Sequence, residues 1–142
     1  MSNLKSIEER LNNNKISQVE ITQREVFIQE MKKLDKAKTK ALSIGCGDGI
    51  WDYLAFNNAY INNIEATNIV SCPVHIDDQT LLKQNGQWAF NQVDTSGKLP
   101  FKDNSFDLVF HQDVIEHTNT PHNFLAEQFR VLNGGDNCVW NF

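Results

Sequence analysis

The sequence predicts an α/β fold, in which a doubly wound, mostly parallel sheet of about five strands carries helices on both faces. From residue 41 onward, short apolar runs alternate with helix-length segments, which is typical of strand–helix–strand crossovers. The apolar run at residues 41–44 ends in three glycines at alternate positions within residues 45–49. This pattern is typical of a buried strand that turns directly into a helix and leaves room for a ligand at the turn.

The bulk properties exclude several classes of protein. The 142 residues correspond to one domain, and the net charge of -5 argues against a nucleic-acid partner. No apolar run approaches the roughly 20 residues of a membrane span, and the N-terminus lacks the apolar core of a signal peptide. The cysteines are Cys46, Cys72 and Cys138, an odd number without a C-x-x-C pair. We therefore expect no disulfide framework and no metal, and a cytoplasmic location.

The first 40 residues are predicted to be helical and separate from the sheet domain, which spans residues 41–142. Apolar residues recur at helical spacing on both sides of an asparagine break at residues 12–14. They are Leu4, Ile7 and Leu11 before the break, and Val26, Phe27, Met31 and Leu34 after it.

The rest of the chain supplies the further strands and helices. We predict strands at residues 63–69, 88–93 and 106–110 and one beginning near residue 137, with helices over residues 50–57, 77–85 and 121–131. Pro121 suits the first turn of the last helix, and Gly134 and Gly135 end it. In such sheets, ligands bind outside the carboxyl ends of the strands, so the polar residues that follow each strand are the candidate site.

Four segments resemble class I S-adenosylmethionine-dependent methyltransferases, in their small-molecule, type 11-like branch. The turn GCGDG at residues 45–49 resembles motif I of that family. The resemblance continues through LPFKDNSFDLVF at 99–110, DVIEH at 113–117 and EQFRVLNGG at 127–135. It implies a Rossmann-like fold of seven strands, so we expect the final strands to be missing here. A homo-oligomer or a partner chain could then form through the exposed sheet edge.

The resemblance also implies a site for S-adenosylmethionine, with all its residues in the glycine turn or at strand ends. Asn68 would hold the ribose hydroxyls, with Glu65 as the second choice, and Asp94 would accept a hydrogen bond from the adenine amine. The family usually has acidic residues where Ser43 and Asn68 stand. The expected cofactor-binding residues are Gly45, Cys46, Gly47, Gly49, Asn68, Ile69, Asp94, Thr95 and Gln112.

The implied reaction is methyl transfer to an O, N or C nucleophile of a small-molecule acceptor. Asp113, Glu116 and His117 are expected to line the acceptor site, and residues 1–40 to form a lid over it. His117 could serve as a general base or could only line the pocket. The alternative is a non-catalytic S-adenosylmethionine-binding subunit, or one that a partner completes.

Two other readings are weaker. A nicotinamide-binding domain requires Gly-x-Gly-x-x-Gly, but the third glycine falls at position 49 and Ile50 follows it. A non-haem iron site could use His111 and Asp113 with His117 or His122. That reading is disfavoured because the chain lacks the all-β signals expected of such an oxygenase.

Overall fold

The computed structural model describes residues 6–13, 16–111 and 120–133, and the backbone of residues 138–141. Its strands are β1 (Lys40–Ile44), β2 (Asn63–Asn68), β3 (Gln87–Gln92), β4 (Leu108–His111) and β5 (Cys138–Asn141). They form one parallel sheet in the order β3-β2-β1-β4-β5. The chain adds strands on one side of β1 and then on the other, which confirms the predicted doubly wound sheet.

The helices cover the two faces of the sheet unequally. They are α1 (Ile7–Leu11), α2 (Gln18–Lys33), α3 (Ile50–Asn58), α4 (Ile76–Asn85) and α5 (Pro121–Val131). Residues of α1 to α4 share one core cluster with alternate strand residues such as Ile64 and Phe110, whereas α5 packs with the intervening residues Leu42 and Val109. None of the helices in the described ranges is long and apolar enough to cross a lipid bilayer.

The N-terminal helices are anchored in the core of the sheet. Ile7, Phe27 and Met31 are fully buried in the same cluster as the sheet residues. The buried carboxylate of Asp78 accepts a hydrogen bond from the Ile7 N–H at 3.0 Å and contacts Arg10 at 3.4 Å. The predicted boundary at residue 40 therefore separates the sheet from helices that pack tightly against it. The role of residues 1–40 as a lid over the acceptor site remains a prediction.

Local hydrogen bonds explain where the strands depart from their predicted bounds. The Asn68 side chain accepts a hydrogen bond from the Ile69 N–H at 2.7 Å, and β2 ends at Asn68, one residue early. Phe106 forms an isolated bridge to Leu132, and β4 starts only at Leu108. Between them, the Asp107 carboxylate accepts hydrogen bonds from backbone and side-chain donors around it.

The loop between β3 and β4 is held against α5 by hydrogen bonds, most of them from Arg130. Arg130 donates hydrogen bonds to the carbonyl oxygens of Leu99 and Phe101 at 2.9 and 2.8 Å. It also pairs with Asp103 and Glu127, and Glu127 accepts a hydrogen bond from the Leu99 N–H. Hydrogen bonds from Arg130 lower the pKa of Glu127, so the pair remains charged. The loop is therefore fixed although it contains no regular secondary structure.

Candidate functional site

The glycine turn joins β1 to α3 through left-handed backbone conformations. Gly47 has a φ of +54°, and a Cβ added there meets no atom of the described chain within 4 Å. Gly49 has a φ of +91° and serves as the N-cap of α3, and a Cβ added there would lie 3.2 Å from Leu82 and 3.3 Å from Val74. Gly49 therefore permits close packing against the protein, whereas Gly47 faces open space.

A cavity of about 470 Å³ lies over this turn. The turn forms one wall, and the first half of α2 forms the facing wall. The lining residues are Ser17, Val19, Glu20, Gln23, Arg24, Gly45, Cys46, Gly47, Asp48, Ile50 and Trp51. The structure thus brings the predicted turn residues together with a set of α2 residues that the sequence analysis did not single out.

Arg24 is the cation that α2 contributes to this cavity. The residue is only 8% exposed, and its Nη2 donates to Glu20 Oε1 at 3.1 Å. The buried Nε of Arg24 has no hydrogen-bond partner among the described residues. A buried guanidinium nitrogen without an acceptor is costly, and a carboxylate is the ligand group that best satisfies it.

Cys46 lies in the turn but directs its side chain into the core. The residue is 2% exposed, and its N–H donates to the Thr67 carbonyl at 3.0 Å. Burial, followed by the nearby Asp52, raises the pKa of the Cys46 thiol. The thiol is therefore unreactive, and the backbone of Cys46 is the part that could meet a ligand.

The polar residues after β2 and β3 reach the same edge of the sheet as the turn. Ile44 pairs with Thr67, and Asn68 pairs with Gln92, so the three strands end nearly level. Asn68 closes β2 and is followed by Ile69, which is 51% exposed. The Asn68 amide and the apolar Ile69 side chain are thus adjacent where the ribose and base of the cofactor were predicted to lie.

Asp94 and Thr95 follow β3 and are exposed. The Asp94 carboxylate accepts hydrogen bonds from the hydroxyl and the N–H of Ser96, the latter at 2.9 Å. These bonds lower the pKa of Asp94, so the carboxylate is charged at neutral pH. An exposed, ionised acceptor at this edge suits an exocyclic amine.

The predicted acceptor-site residues, and Gln112 of the predicted cofactor site, lie outside the described residues. Gln112, Asp113, Glu116 and His117 all fall within residues 112–119. This segment follows β4, whose last residue, His111, pairs with Ile44 at the end of β1. β4 therefore ends at the edge of the sheet where the glycine turn lies, and the roles of the residues at 112–119 remain predictions.

The described residues give no support to the iron-site interpretation. His111 is 1% exposed, and its ring packs edge-on against Phe124, with centroids 5.4 Å apart. Within the described ranges, no group of three or more His, Cys, Asp or Glu residues is placed to hold a metal ion.

A buried carboxyl group behind the turn was not predicted from the sequence. Asp52 is fully buried, accepts a hydrogen bond from the Ser43 hydroxyl, and accepts another from the Trp88 indole N–H at 2.8 Å. Burial raises the pKa of Asp52 to about 6, although both hydrogen bonds act in the opposite direction. Ser43 precedes the turn and Asp52 follows it, so the pair links the two ends of the turn.

Comparison with known proteins agrees with this architecture. A family model described as "Methyltransferase domain" matches residues 42–139. A curated relative, a ubiquinone biosynthesis O-methyltransferase from Maricaulis maris, is 30% identical over 99 residues, which are 68% of this chain and 37% of that protein. This chain therefore spans little more than a third of the length of that relative.

Solved structures share the fold. The [4+2]-cyclase SpnF is 23% identical with a TM-score of 0.69, over 90% of this chain and 47% of that one. A structure described as a SAM-dependent methyltransferase from Aquifex aeolicus is 18% identical with a TM-score of 0.65, over 92% of this chain and 69% of that one. At these identities the structural likeness shows the fold alone, whereas the family model matches more than half of the sequence. The chain belongs to the methyltransferase domain family, as its motifs predicted.

Proposed function

We propose that the protein binds S-adenosylmethionine over the glycine turn and supports transfer of its methyl group to a small-molecule nucleophile. The observation that carries this proposal is the open space above Gly47, inside a cavity of about 470 Å³ between the turn and α2. A side chain at position 47 would project into this space, and the left-handed φ there already disfavours one.

The described residues fit the three parts of the cofactor. The unsatisfied Nε of Arg24 would take the carboxylate of the methionine part. Asn68 would hold the ribose hydroxyls as a neutral partner, and Asp94 would accept a hydrogen bond from the adenine amine. When bound, the cofactor supplies a methyl group activated by a positively charged sulfur.

The acceptor side is proposed to be lined by Asp113, Glu116 and His117. His117 would accept a proton from an acceptor that is not already ionised, whereas an ionised acceptor would need only alignment. An oxygen nucleophile is the first class to assay, because the curated relative at 30% identity is named an O-methyltransferase. Acceptors with nitrogen and carbon nucleophiles should be assayed after it.

A second candidate is a cofactor-binding subunit without activity of its own. The observation that favours it is the pair of uncharged residues, Ser43 and Asn68, at positions where methyltransferases of this family usually have acidic ones. The name of SpnF also identifies it as a cyclase, so this fold carries more than one chemistry. Binding of S-adenosylmethionine without methyl transfer to any acceptor class would favour the second candidate.

The substitution Gly47→Val tests the position of the site. Calorimetric titration with S-adenosylmethionine should give measurable affinity for the wild type and a loss of at least about tenfold for the variant. Gly47→Ala is the matched control. It keeps the strain of the left-handed φ without the branched side chain, and its Cβ would meet no described atom within 4 Å. Equal affinity in the wild type and Gly47→Val would contradict the proposed site.

A further inference from the structure

Asp52 is an acidic group that the proposed cofactor contacts do not use. It lies in the first turn of α3, with no exposed surface, and both of its oxygens accept hydrogen bonds. Its partners come from two different strands, since Ser43 belongs to β1 and Trp88 to β3. The carboxyl group is therefore held rigidly behind the turn, and substitution of either partner would leave it less well satisfied.

Few charged groups surround this carboxyl group. Asp48, in the turn, is the nearby acidic residue that opposes its ionisation, and Arg10 of α1 lies 3.5 Å from Asp48. Cys46 is neutral because burial raises its pKa. From β1 and β3, the groups that meet Asp52 are the uncharged Ser43 hydroxyl and the Trp88 indole. No described cation is hydrogen-bonded to or paired with Asp52.

We propose that the Asp52 carboxylate makes the site prefer the positively charged sulfonium of S-adenosylmethionine over the uncharged thioether of its demethylated product, S-adenosylhomocysteine. This inference rests on the proposed binding of the cofactor over the turn. Asp52 touches neither ligand in this arrangement, so it acts at a distance through its charge. A charge behind the turn is weakly screened, because the interior has a low dielectric constant and excludes counterions.

The preference should depend on the ionisation of Asp52. Above pH 6 the group is ionised and attracts the sulfonium, whereas below that pH it is protonated and the attraction disappears. The carboxylate and amino groups of the methionine part are the same in both ligands. Between pH 5 and pH 7 both of these groups stay ionised in both ligands, so they do not change the ratio of the two dissociation constants.

The experiment is calorimetric titration of the protein with each ligand between pH 5 and pH 7. For the wild type, the dissociation constant of S-adenosylhomocysteine divided by that of S-adenosylmethionine should rise roughly tenfold with pH across this range. In Asp52→Asn the ratio should be low and independent of pH. Both ligands should still bind to this variant, because the amide oxygen can accept the Trp88 hydrogen bond while the amide NH2 donates to the Ser43 hydroxyl.

Asp107→Asn is the matched control. Asp107 accepts hydrogen bonds from Thr39 and Lys40 at the amino end of β1, so the variant loses a carboxylate at the opposite edge of the sheet. It should keep the pH-dependent ratio of the wild type. NMR titration of the Asp52 carboxyl carbon gives a second readout, in which S-adenosylmethionine should lower the pKa more than S-adenosylhomocysteine does.

The outcomes separate the two proposals. Binding of both ligands to the wild type with a ratio that does not change with pH would overturn the inference alone. A pH-dependent ratio that persists in Asp52→Asn would also overturn it. If the wild type bound neither ligand at any pH, that result would contradict the proposed function and therefore this inference as well.

Discussion

Asp94 is the residue expected to accept a hydrogen bond from the adenine amine of the cofactor. Its carboxylate is exposed and ionised, with hydrogen bonds from Ser96 that keep its pKa low. We predict that Asp94→Ala weakens S-adenosylmethionine binding about tenfold, because a charge-assisted hydrogen bond to the adenine amine is lost. Calorimetric titration measures this, and Asp77→Ala, which removes an exposed carboxylate from α4, should bind as the wild type does. Unchanged affinity in Asp94→Ala would contradict this assignment.

Asp52 should also change the way in which the free energy of unfolding depends on pH. The change has the direction opposite to that caused by most carboxylates. Its pKa is about 6 in the folded protein against an ordinary value of 3.8, so the folded state binds the proton more tightly than the unfolded state. The contribution of Asp52 to the free energy of unfolding is therefore greatest at low pH. It falls by about 3 kcal/mol as the pH rises from about 4 to 6.

Urea unfolding of the wild type and Asp52→Asn at several pH values tests this. The side-chain amide of the variant cannot titrate, and the other ionisable groups are common to both proteins, so the difference between them isolates Asp52. The wild type should lose stability relative to the variant between pH 4 and pH 6. A difference that does not change with pH would contradict the raised pKa.

Sequence reasoning found some of the site residues and missed others for identifiable reasons. Gly47 and Asp94 could be predicted because a glycine turn and a polar strand end leave a local pattern. Arg24 was missed because the turn residues that share its cavity are distant in sequence. It nevertheless precedes the buried Phe27 and Met31 at helical spacing. An arginine on the apolar face of a helix was the signal that could have revealed it.

Among the elements, the contact between α5 and the loop before β4 depends on Arg130. Its guanidinium donates to the carbonyl oxygens of Leu99 and Phe101 and pairs with Glu127 and Asp103. We predict that Arg130→Met lowers the free energy of unfolding by about 2–3 kcal/mol, since several partners lose a charged donor together. Urea unfolding measures this loss.

Limited proteolysis localises the same effect. Lys98 and Lys102 lie in the loop, so trypsin should cut the Arg130→Met variant there faster than the wild type. Lys33→Met is the matched control, because Lys33 makes an exposed pair with Glu30 within α2 and should cost at most about 0.5 kcal/mol. Equal loss of stability in the two variants would contradict the role given to Arg130.

The elements themselves were predictable where periodicity and end signals coincided. The bounds of α5 are those predicted, because Pro121 and the following glycines mark its limits. The start of β4 was predicted two residues too early, since Phe106 and Asp107 have the composition of a strand but bond differently. Distant donors around Asp107, which the local pattern does not reveal, decide this boundary.

At the scale of the whole molecule, the order of strands determines where a ligand can bind. The chain reverses direction across the sheet between β1 and β4, and a crevice opens at the carboxyl ends of strands at such a point. The glycine turn and the carboxyl end of β4 both lie there. The alternation of strands and helices predicted this topology, but the packing of α2 against the turn depends on tertiary contacts that the alternation does not encode.

A crystal structure with bound S-adenosylhomocysteine tests the central claim most directly. The account predicts electron density for the ligand against the backbone of Gly47, with the carboxylate at Arg24 and the adenine beside Asp94. Density at another place on the molecule, or protein side chains filling the space above Gly47 in the presence of the ligand, would contradict it.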